Sequence, residues 1–542
     1  MGMLVAWRSY LIRGDMFFEL EPVRSIKVFF KISPFFSVSI LFLIYFTLQF
    51  ANQVLMHAGL GTALWDLGLY DQVIWNTAHG NFLISSIRGG LHIFSERFKP
   101  MLVLLSPIYF QNNNTVLLFF ITTLITSSSI VAVYLIAKSL TNSKETALVF
   151  SICAFFYLPL RNGINFLFHT QVLADPLLLF GFYCVIKKKG IFAYLLFLLA
   201  LTCKESVAMD VLGIGLFLIA RREKTGWGIS ILALFWIALF ILFIEPNFCY
   251  AYQVQDKWSF YSHFSSLNLE SWAKLLKPNP ILFLFFVFGP VLFLPYACRK
   301  WTLLLGPSLA LRLLSIYPGF RLITAHYTAG LNALIFIGAI YGFIEALDLR
   351  KKIWRNINFF RSALLGAAIL FTGVPQLFSI ERFLWEASYS ENQKAVKILE
   401  SIPSDHSVLS TETASAHLSH RAHLFVFFNM FAHAPYEKMA EKPDLIVVDK
   451  LKLQPREQKA LGEFRTKGYE LIFESTLIQI YERPSESQLI SSDLIDEWNR
   501  INRANQISYR KIVRKWYKYL LIFAASFCIF RLFKKEKLLI HS

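Results

Sequence analysis

Long apolar runs separated by short polar breaks dominate the chain from residue 35 to residue 380, whereas alternating, strand-like patterns are confined to the segment that follows. A bilayer-crossing helix needs roughly 17 to 25 mostly apolar residues. On that rule the pattern predicts about twelve spans, near 35–55, 115–137, 146–160, 172–186, 190–203, 205–220, 227–245, 279–298, 301–317, 326–346, 361–380 and 516–533. Only Lys204 and Glu205 separate the fifth from the sixth. Beyond residue 381, ENQKAVKILESIP has the period of an amphipathic helix, HSVLST, HLFVFF, DLIVVD and YELIFE read as short strands, and REQKALGEF reads as a helix before the last of them. The expected fold is therefore an α-helical polytopic membrane protein with a small α/β domain near its C-terminus. Its expected organisation is a segment 1–34, a membrane core 35–380 with a polar first loop 56–114, the α/β domain 381–484, a polar linker 485–515, and a last anchor with a basic tail, 516–542.

Composition supports the membrane reading: 55% of residues are hydrophobic and 16% aromatic, with a mean hydropathy of +0.49, far from ordinary globular usage. The net charge is 54 − 36 = +18, but the basic residues stand in short clusters between apolar runs, which orients a polytopic protein rather than gripping a nucleic acid. Every second break is basic: Arg8 to Lys31, Lys138 and Lys144, Lys187 to Lys189, Arg221 to Lys224, Arg299 and Lys300, Arg350 to Arg361, and Lys534 to Lys537. The positive-inside rule then puts both termini in the cytoplasm and 56–114, 161–171, 204–205, 246–278, 318–325 and 381–515 outside an inner (plasma) membrane. The first apolar run lacks a small-residue cleavage site and is expected to stay as an anchor. The six cysteines show no CxxC or Cys/His spacing, so neither a disulfide framework nor a zinc site follows from them.

With that topology the rare ionisable groups gather toward the outer ends of helices. The first loop carries Asp66, Asp71, His92, Glu96 and Arg97; further on stand His169, Lys204, Glu205, Arg312, Arg321 and His326. Asp66 precedes an apolar-periodic stretch (Leu69, Tyr70, Val73, Ile74), so it is either a helix N-cap or a general base for an acceptor hydroxyl. Asp71 is the second candidate base, or orients a substrate or divalent metal. Glu96 and Arg97 could pair at the water interface, and His92 could serve as ligand, donor or structural group. Asp175, one turn into a span, must face the bundle or a wet cavity. Lys204 and Glu205 are either a self-neutralising pair or a phosphate-binding lysine fixed by its neighbour. Arg312 either snorkels or joins Arg321 and His326 in a cationic rim for a lipid phosphate, whose oxygens match a guanidinium fork. No Gly-rich phosphate loop or internal repeat occurs, and no organic cofactor is indicated.

The stretches WDLGLYDQVIWNTAHGN, ERFKPMLVLLSPIY, FLFHTQVLADPLLL, LLALTCKES, AHYTAGL and IPSDHSVLSTETASAHLSHR, in that order, resemble the bacterial and archaeal membrane-protein family called domain of unknown function 2079, over about residues 60 to 480. That family is similar in layout to the C-type (GT-C) glycosyltransferases, polytopic enzymes that take a sugar from a polyprenyl-phosphate carrier at the outer membrane face. The resemblance implies an acidic base, or helper of a divalent metal, in the first outer loop. It places Asp66 first and Asp71 second in that role, with His92, Glu96, His169, Lys204, Glu205 and His326 at other family-like positions. SERFKP stands where Asp-His would be expected before the Phe, which removes a histidine ligand there.

The function expected is transfer of a sugar from a polyprenyl-phosphate donor to a cell-envelope acceptor at the outer face. The partners are then the bilayer and a polyprenyl-linked sugar. A transporter or flippase for a lipid-linked or anionic substrate is the alternative, but transporters place coupling residues near the bilayer midplane, often in repeated halves. A non-catalytic envelope scaffold would leave both aspartates without a chemical role.

Overall fold

The computed structural model describes residues 34–111, 114–166, 168–249, 274–276, 279–349, 357–372, 389–428, 434–485 and 488–503. The chain is mainly helical. Among the described residues three helices are long and apolar enough to cross a membrane, Phe36–Ala58, Thr115–Thr141 and Thr225–Phe248, and a fourth span results if Lys144–Phe156 and Leu158–Asn165, bent by 45°, count as one. Seven shorter apolar helices accompany them: Thr170–Ile186, Gly190–Cys203, Val207–Ala220, Pro280–Val291, Trp301–Leu313, Leu331–Leu347 and Ile357–Phe371. Each lies on one of the apolar runs, but at 10–17 residues most fall short of a full crossing. The run at 516–533 lies outside the described residues.

A helix facing lipid keeps its apolar side chains on the outside, and Thr225–Leu239 does so with Trp227, Ile231, Leu234 and Phe235 exposed. Its other side meets Val207–Ala220 through glycines. A Cβ on Gly226 would come within 2.8 Å of the Gly215 carbonyl oxygen. Such small residues let backbones touch where no hydrophobic effect drives helices together. Asp175, fully buried, faces inward as its position requires. It accepts from the backbone N–H groups of Gly330 (2.8 Å) and Ala333 (3.2 Å) and from Asn332 Nδ2 (3.0 Å), capping the positive end of helix Leu331–Leu349.

Two hairpin strands, β1 (Ile84–Ser85) and β2 (Leu91–His92), pair in the first loop. The C-terminal domain carries β3 (Val408–Ser410), β4 (Leu424–Val426), β5 (Leu445–Asp449), β6 (Glu470–Glu474) and β7 (Ile478–Glu482) in the order β4-β3-β5-β7-β6. The β3 pairings are parallel and the β7 pairings antiparallel. β5 is buried along its whole length, as a central strand must be. Helix Pro455–Thr466, opened by a Gln454/Glu457 capping box, places Leu461 and Phe464 on one sheet face with Leu409, Phe425, Ile446 and Val448. The other face is continuous with the helical core through Val408, Leu445, Val447 and Ile480.

Two features differ from the expectation. β7 was not separated from the strand before it. The polar linker expected from residue 485 contains helix Ser492–Arg503, whose fully buried Trp498 packs on Phe473 and donates to Ser401 Oγ at 2.8 Å. Its apolar positions Leu494, Ile495, Trp498 and Ile501 share one helical face in an otherwise polar segment. That single stripe is all the sheet needs.

Candidate active site

The first loop enters its helix Leu69–Ala78 through a tight turn at Leu64–Gly68. There Asp66 adopts φ +76°, ψ −77°, a backbone conformation costing an L-residue on the order of 1–3 kcal/mol. Its backbone carbonyl accepts from Leu69 N–H. The side chain does not cap the helix: the N-cap is Gly68, without a side-chain bond. Instead the carboxylate, 27% exposed, reaches across to His169, with Oδ1 2.7 Å from Nε2. The approach is close but not aligned as a hydrogen bond, and among the described residues that nitrogen has no aligned partner.

His169 precedes a short 3-10 turn, Thr170–Leu173. The turn is pinned by Thr170 Oγ1 donating to Cys203 O (2.6 Å) and Gln171 Nε2 donating to Ala329 O (3.2 Å). On the far side of the His169 ring, Nδ1 lies 3.5 Å from Lys99 Nζ. An ammonium facing Nδ1 leaves that atom as acceptor and puts the ring proton on Nε2, toward Asp66. The His326 ring stacks on His169 with centroids 3.4 Å apart, and neither of its nitrogens has a hydrogen-bond partner among the described residues.

Lys99 is 1% exposed, and its Nζ sits 3.6 Å above the Tyr70 ring. Its backbone is placed by the preceding Phe98 N–H, which donates to Glu205 Oε2 at 3.0 Å. Glu205 and Lys204 occupy the break between helices Gly190–Cys203 and Val207–Ala220. Lys204, also buried, donates to Gln171 Oε1 (3.0 Å) and lies 5.1 Å over the Tyr327 ring. Among the described residues neither lysine forms an ion pair with a carboxylate. Two buried lysine side chains are thus held by aromatic rings and an amide oxygen.

Burial raises the Asp66 carboxyl to about 6, against the pull of Lys99, Lys204, Arg88 and Arg97. Burial also lowers Lys99 to about 8, and holds Lys204 well below the usual lysine range, with Arg97 adding to the effect. Burial and the neighbouring Lys99 keep His169 neutral, well below its ordinary value. Lys99 and Arg97 are in turn held up by the carboxylates of Glu96 and Glu205, so the cluster mixes four cations with three carboxylates.

Asp71 lies in another environment. It is fully buried and accepts from Tyr109 Oη, Thr115 Oγ1 (3.1 Å) and Ser419 Oγ (2.6 Å), with His420 Nε2 3.0 Å away. Burial pushes its pKa up, but His420 and the Ser419 and Tyr109 hydroxyls outweigh this and hold it below the usual carboxylate range. Its neighbour Gln72 donates to Arg421 O (3.0 Å), and Ser86 exchanges bonds with both backbone groups of Leu424 at 2.9 Å. This side of the loop docks the α/β domain.

The remaining sequence candidates divide between these surroundings. Glu96 binds Arg88 through two contacts (2.6 and 2.8 Å), and Arg88 stacks 5.2 Å over Trp65, beside Asp66. Arg97 donates to Glu96 O at 3.3 Å, and Glu205 and Glu96 hold its charge against burial. His92 accepts from Phe94 N–H at 3.2 Å and packs on Phe94 and Phe248. The phosphate rim expected of Arg312 and Arg321 does not form. Arg312, 2% exposed and so not snorkelling, donates to the carbonyls of Tyr327 (2.9 Å), Ala329 (3.0 Å) and Ser308 (2.9 Å) and lies 3.7 Å from Asp210. Arg321 donates to Arg312 O (3.2 Å) and Ser315 O (2.6 Å). Both forks therefore bind backbone carbonyls around the end of helix Trp301–Leu313. The sequence reading passed over Lys99, Arg88, Gln171, Tyr70 and Tyr327. Lys99 carried one signal, a charge directly before Pro100 where a polar run turns apolar.

A model of the family described as "Predicted membrane protein (DUF2079)" matches residues 56–481. Among solved structures, the fold is similar to that of ArnT from Cupriavidus metallidurans bound to undecaprenyl phosphate, with a TM-score of 0.50, 9% identity, and coverage of 83% of this chain and 98% of that one. The apo state of the same protein matches at a TM-score of 0.49 and 10% identity, covering 82% and 97%. No curated protein matches this chain.

Proposed function

Since the chain belongs to that membrane-protein family, we propose that it is a glycosyltransferase of the GT-C layout, moving a sugar from a polyprenyl-phosphate donor to a cell-envelope acceptor at the outer face of the inner membrane. The observation that carries this reading is a partly exposed carboxylate, Asp66, set near two buried lysines, Lys99 and Lys204, that form no ion pair with a carboxylate among the described residues. The undecaprenyl phosphate bound by the similarly folded ArnT supports a polyprenyl phosphate as the lipid. About twelve spans, with both termini cytoplasmic and the α/β domain outside, complete the arrangement.

The donor arrives activated, because its phosphate is a good leaving group. Asp66 accepts a proton from the acceptor hydroxyl, the acceptor oxygen bonds to the anomeric carbon, and the bond from that carbon to the phosphate oxygen breaks. The polyprenyl phosphate departs with the electron pair, stabilised by Lys99, Lys204 and Arg97. A single in-line displacement inverts the anomeric centre. His169, neutral and braced by Lys99, holds the Asp66 carboxylate toward the acceptor and is a positioning residue.

The test is turnover of labelled polyprenyl-phosphate sugars by purified wild type and Asp66→Asn, with monodispersity as the folding control. Loss of a general base should lower kcat by roughly 10²–10⁴-fold. Equal turnover would remove Asp66 from the chemistry, and ATP-independent passage of an intact lipid-linked sugar across vesicles without transfer would support a flippase instead.

A further inference from the structure

A second cluster lies on the seam between the first helix and the α/β domain. His57 ends helix Pro34–Ala58, Glu400 lies in the last turn of Ser390–Ser401, and His417 follows the short helix Glu412–Ser415. One donor atom from each of the three lies within 4.8 Å of the others. They line a polar cavity of ≈ 360 Å³ shared with Thr115, Ser419 and His420.

Three observations point to a ligand. The His417 side chain is wholly buried, yet neither of its nitrogens has a hydrogen-bond partner among the described residues. Such a group costs the fold its desolvation unless something binds it. His57 Nδ1 lies 2.9 Å from Thr62 Oγ1, which engages one nitrogen and leaves Nε2 for another partner, the arrangement by which an outer neighbour orients a metal-bound histidine. Glu400 Oε1 stands 3.9 Å from His417 Nδ1 on a side chain 57% exposed, so it can swing inward at little cost.

We infer that His57, Glu400 and His417 form a divalent-metal site suited to Zn²⁺, fastening the α/β domain to the end of the first helix. Two imidazoles and a carboxylate are a recognised zinc donor set that leaves one tetrahedral position for water, and the cavity supplies it. With Zn–N near 2.0–2.1 Å, the donors must close on the ion. The two rings, now stacked with centroids 4.0 Å apart, splay so that both lone pairs meet it. Local Cys/His spacing cannot reveal such a site, because its ligands come from separate elements.

The experiment uses the full-length protein in detergent, stripped with EDTA and titrated with ZnCl2 alone, with bound metal counted by mass spectrometry. Wild type should retain about one Zn²⁺ per chain and show a higher Tm with the ion, and Co²⁺ should give the intense visible bands of a tetrahedral site. Glu400→Gln, at a half-exposed position that should fold normally, and His417→Ala should each weaken Zn²⁺ binding roughly tenfold or more. Asp66→Asn should bind Zn²⁺ as wild type does, which separates this site from the proposed chemistry. Wild type retaining no Zn²⁺, or Glu400→Gln and His417→Ala binding it unchanged, would overturn the site.

Discussion

Asp66 and Asp71 stand in successive elements, the turn Leu64–Gly68 and the helix Leu69–Ala78, and the structure gives them opposite environments. Asp66 is partly open, stands on a strained turn and touches a neutral histidine; its carboxyl is raised to about 6. Asp71 is sealed, takes three hydroxyl donors and lies against His420, and its carboxyl is held below its ordinary value. A carboxylate with its lone pairs occupied cannot readily accept a proton, whereas one short of donors can. The contrast teaches that partner count, not loop position, separates a candidate base from a structural hub.

The largest expected effect breaks the comparison at Asp66: Asp66→Asn should lose turnover by roughly 10²–10⁴-fold with little change in Tm. Asp71→Ala should do the reverse. It strands His420 and three hydroxyls, and should cost about 3–5 kcal/mol, read by thermal or denaturant unfolding. Asp66→Ala would be mild in the same assay, because the side chain it removes is incompletely paired.

Next in size is Lys99→Met, which keeps the stem over Tyr70 and removes the charge. It should raise KM for the polyprenyl-phosphate donor at least tenfold, on the order of 1.4 kcal/mol, while the pH response of Asp66 shifts upward. An unchanged KM would separate Lys99 from phosphate binding.

The pH profile sharpens the same contrast. Asp66 must be ionised to accept a proton, so kcat/KM should rise as pH increases toward about 6 and then level off. Lys99 must be protonated to hold the anion, so kcat/KM should fall as pH rises beyond about 8. Asp71 acts on stability instead. Its folded pKa lies below the ordinary 3.8, so its contribution is complete above that value and is lost as pH falls through the folded pKa. Wild type should therefore unfold more steeply with acid than Asp71→Asn does. The smallest effect is expected of His92→Ala, within about twofold of wild-type turnover and costing on the order of 1 kcal/mol, since the ring's hydrogen bond closes its own turn and its other contacts are aromatic packing.

Much of the architecture was legible because it rests on local pattern. Within the described residues the apolar runs became helices, and HSVLST, HLFVFF, DLIVVD and YELIFE contain strands, since periodicity registers which side of an element is buried. Helix Ser492–Arg503 escaped because four apolar residues in twelve look like a linker until a sheet lies beneath them. Asp66, His169 and Lys204 could be named as rare charges in an oily chain. That Asp66 would meet His169, or that Arg312 would spend its fork on carbonyls, could not.

Amino-acid order settled the membrane character, the helical core, the α/β tail and the small set of ionisable residues from which any site must be drawn, because these follow from the apolar content and period of neighbouring residues. Tertiary structure alone decided which of those residues share a space: Lys99 beside His169, Asp71 against Ser419, His417 against His57. Distance between side chains, and with it pKa, pairing and chemistry, depends on how separate elements pack, and one-dimensional spacing carries no record of that.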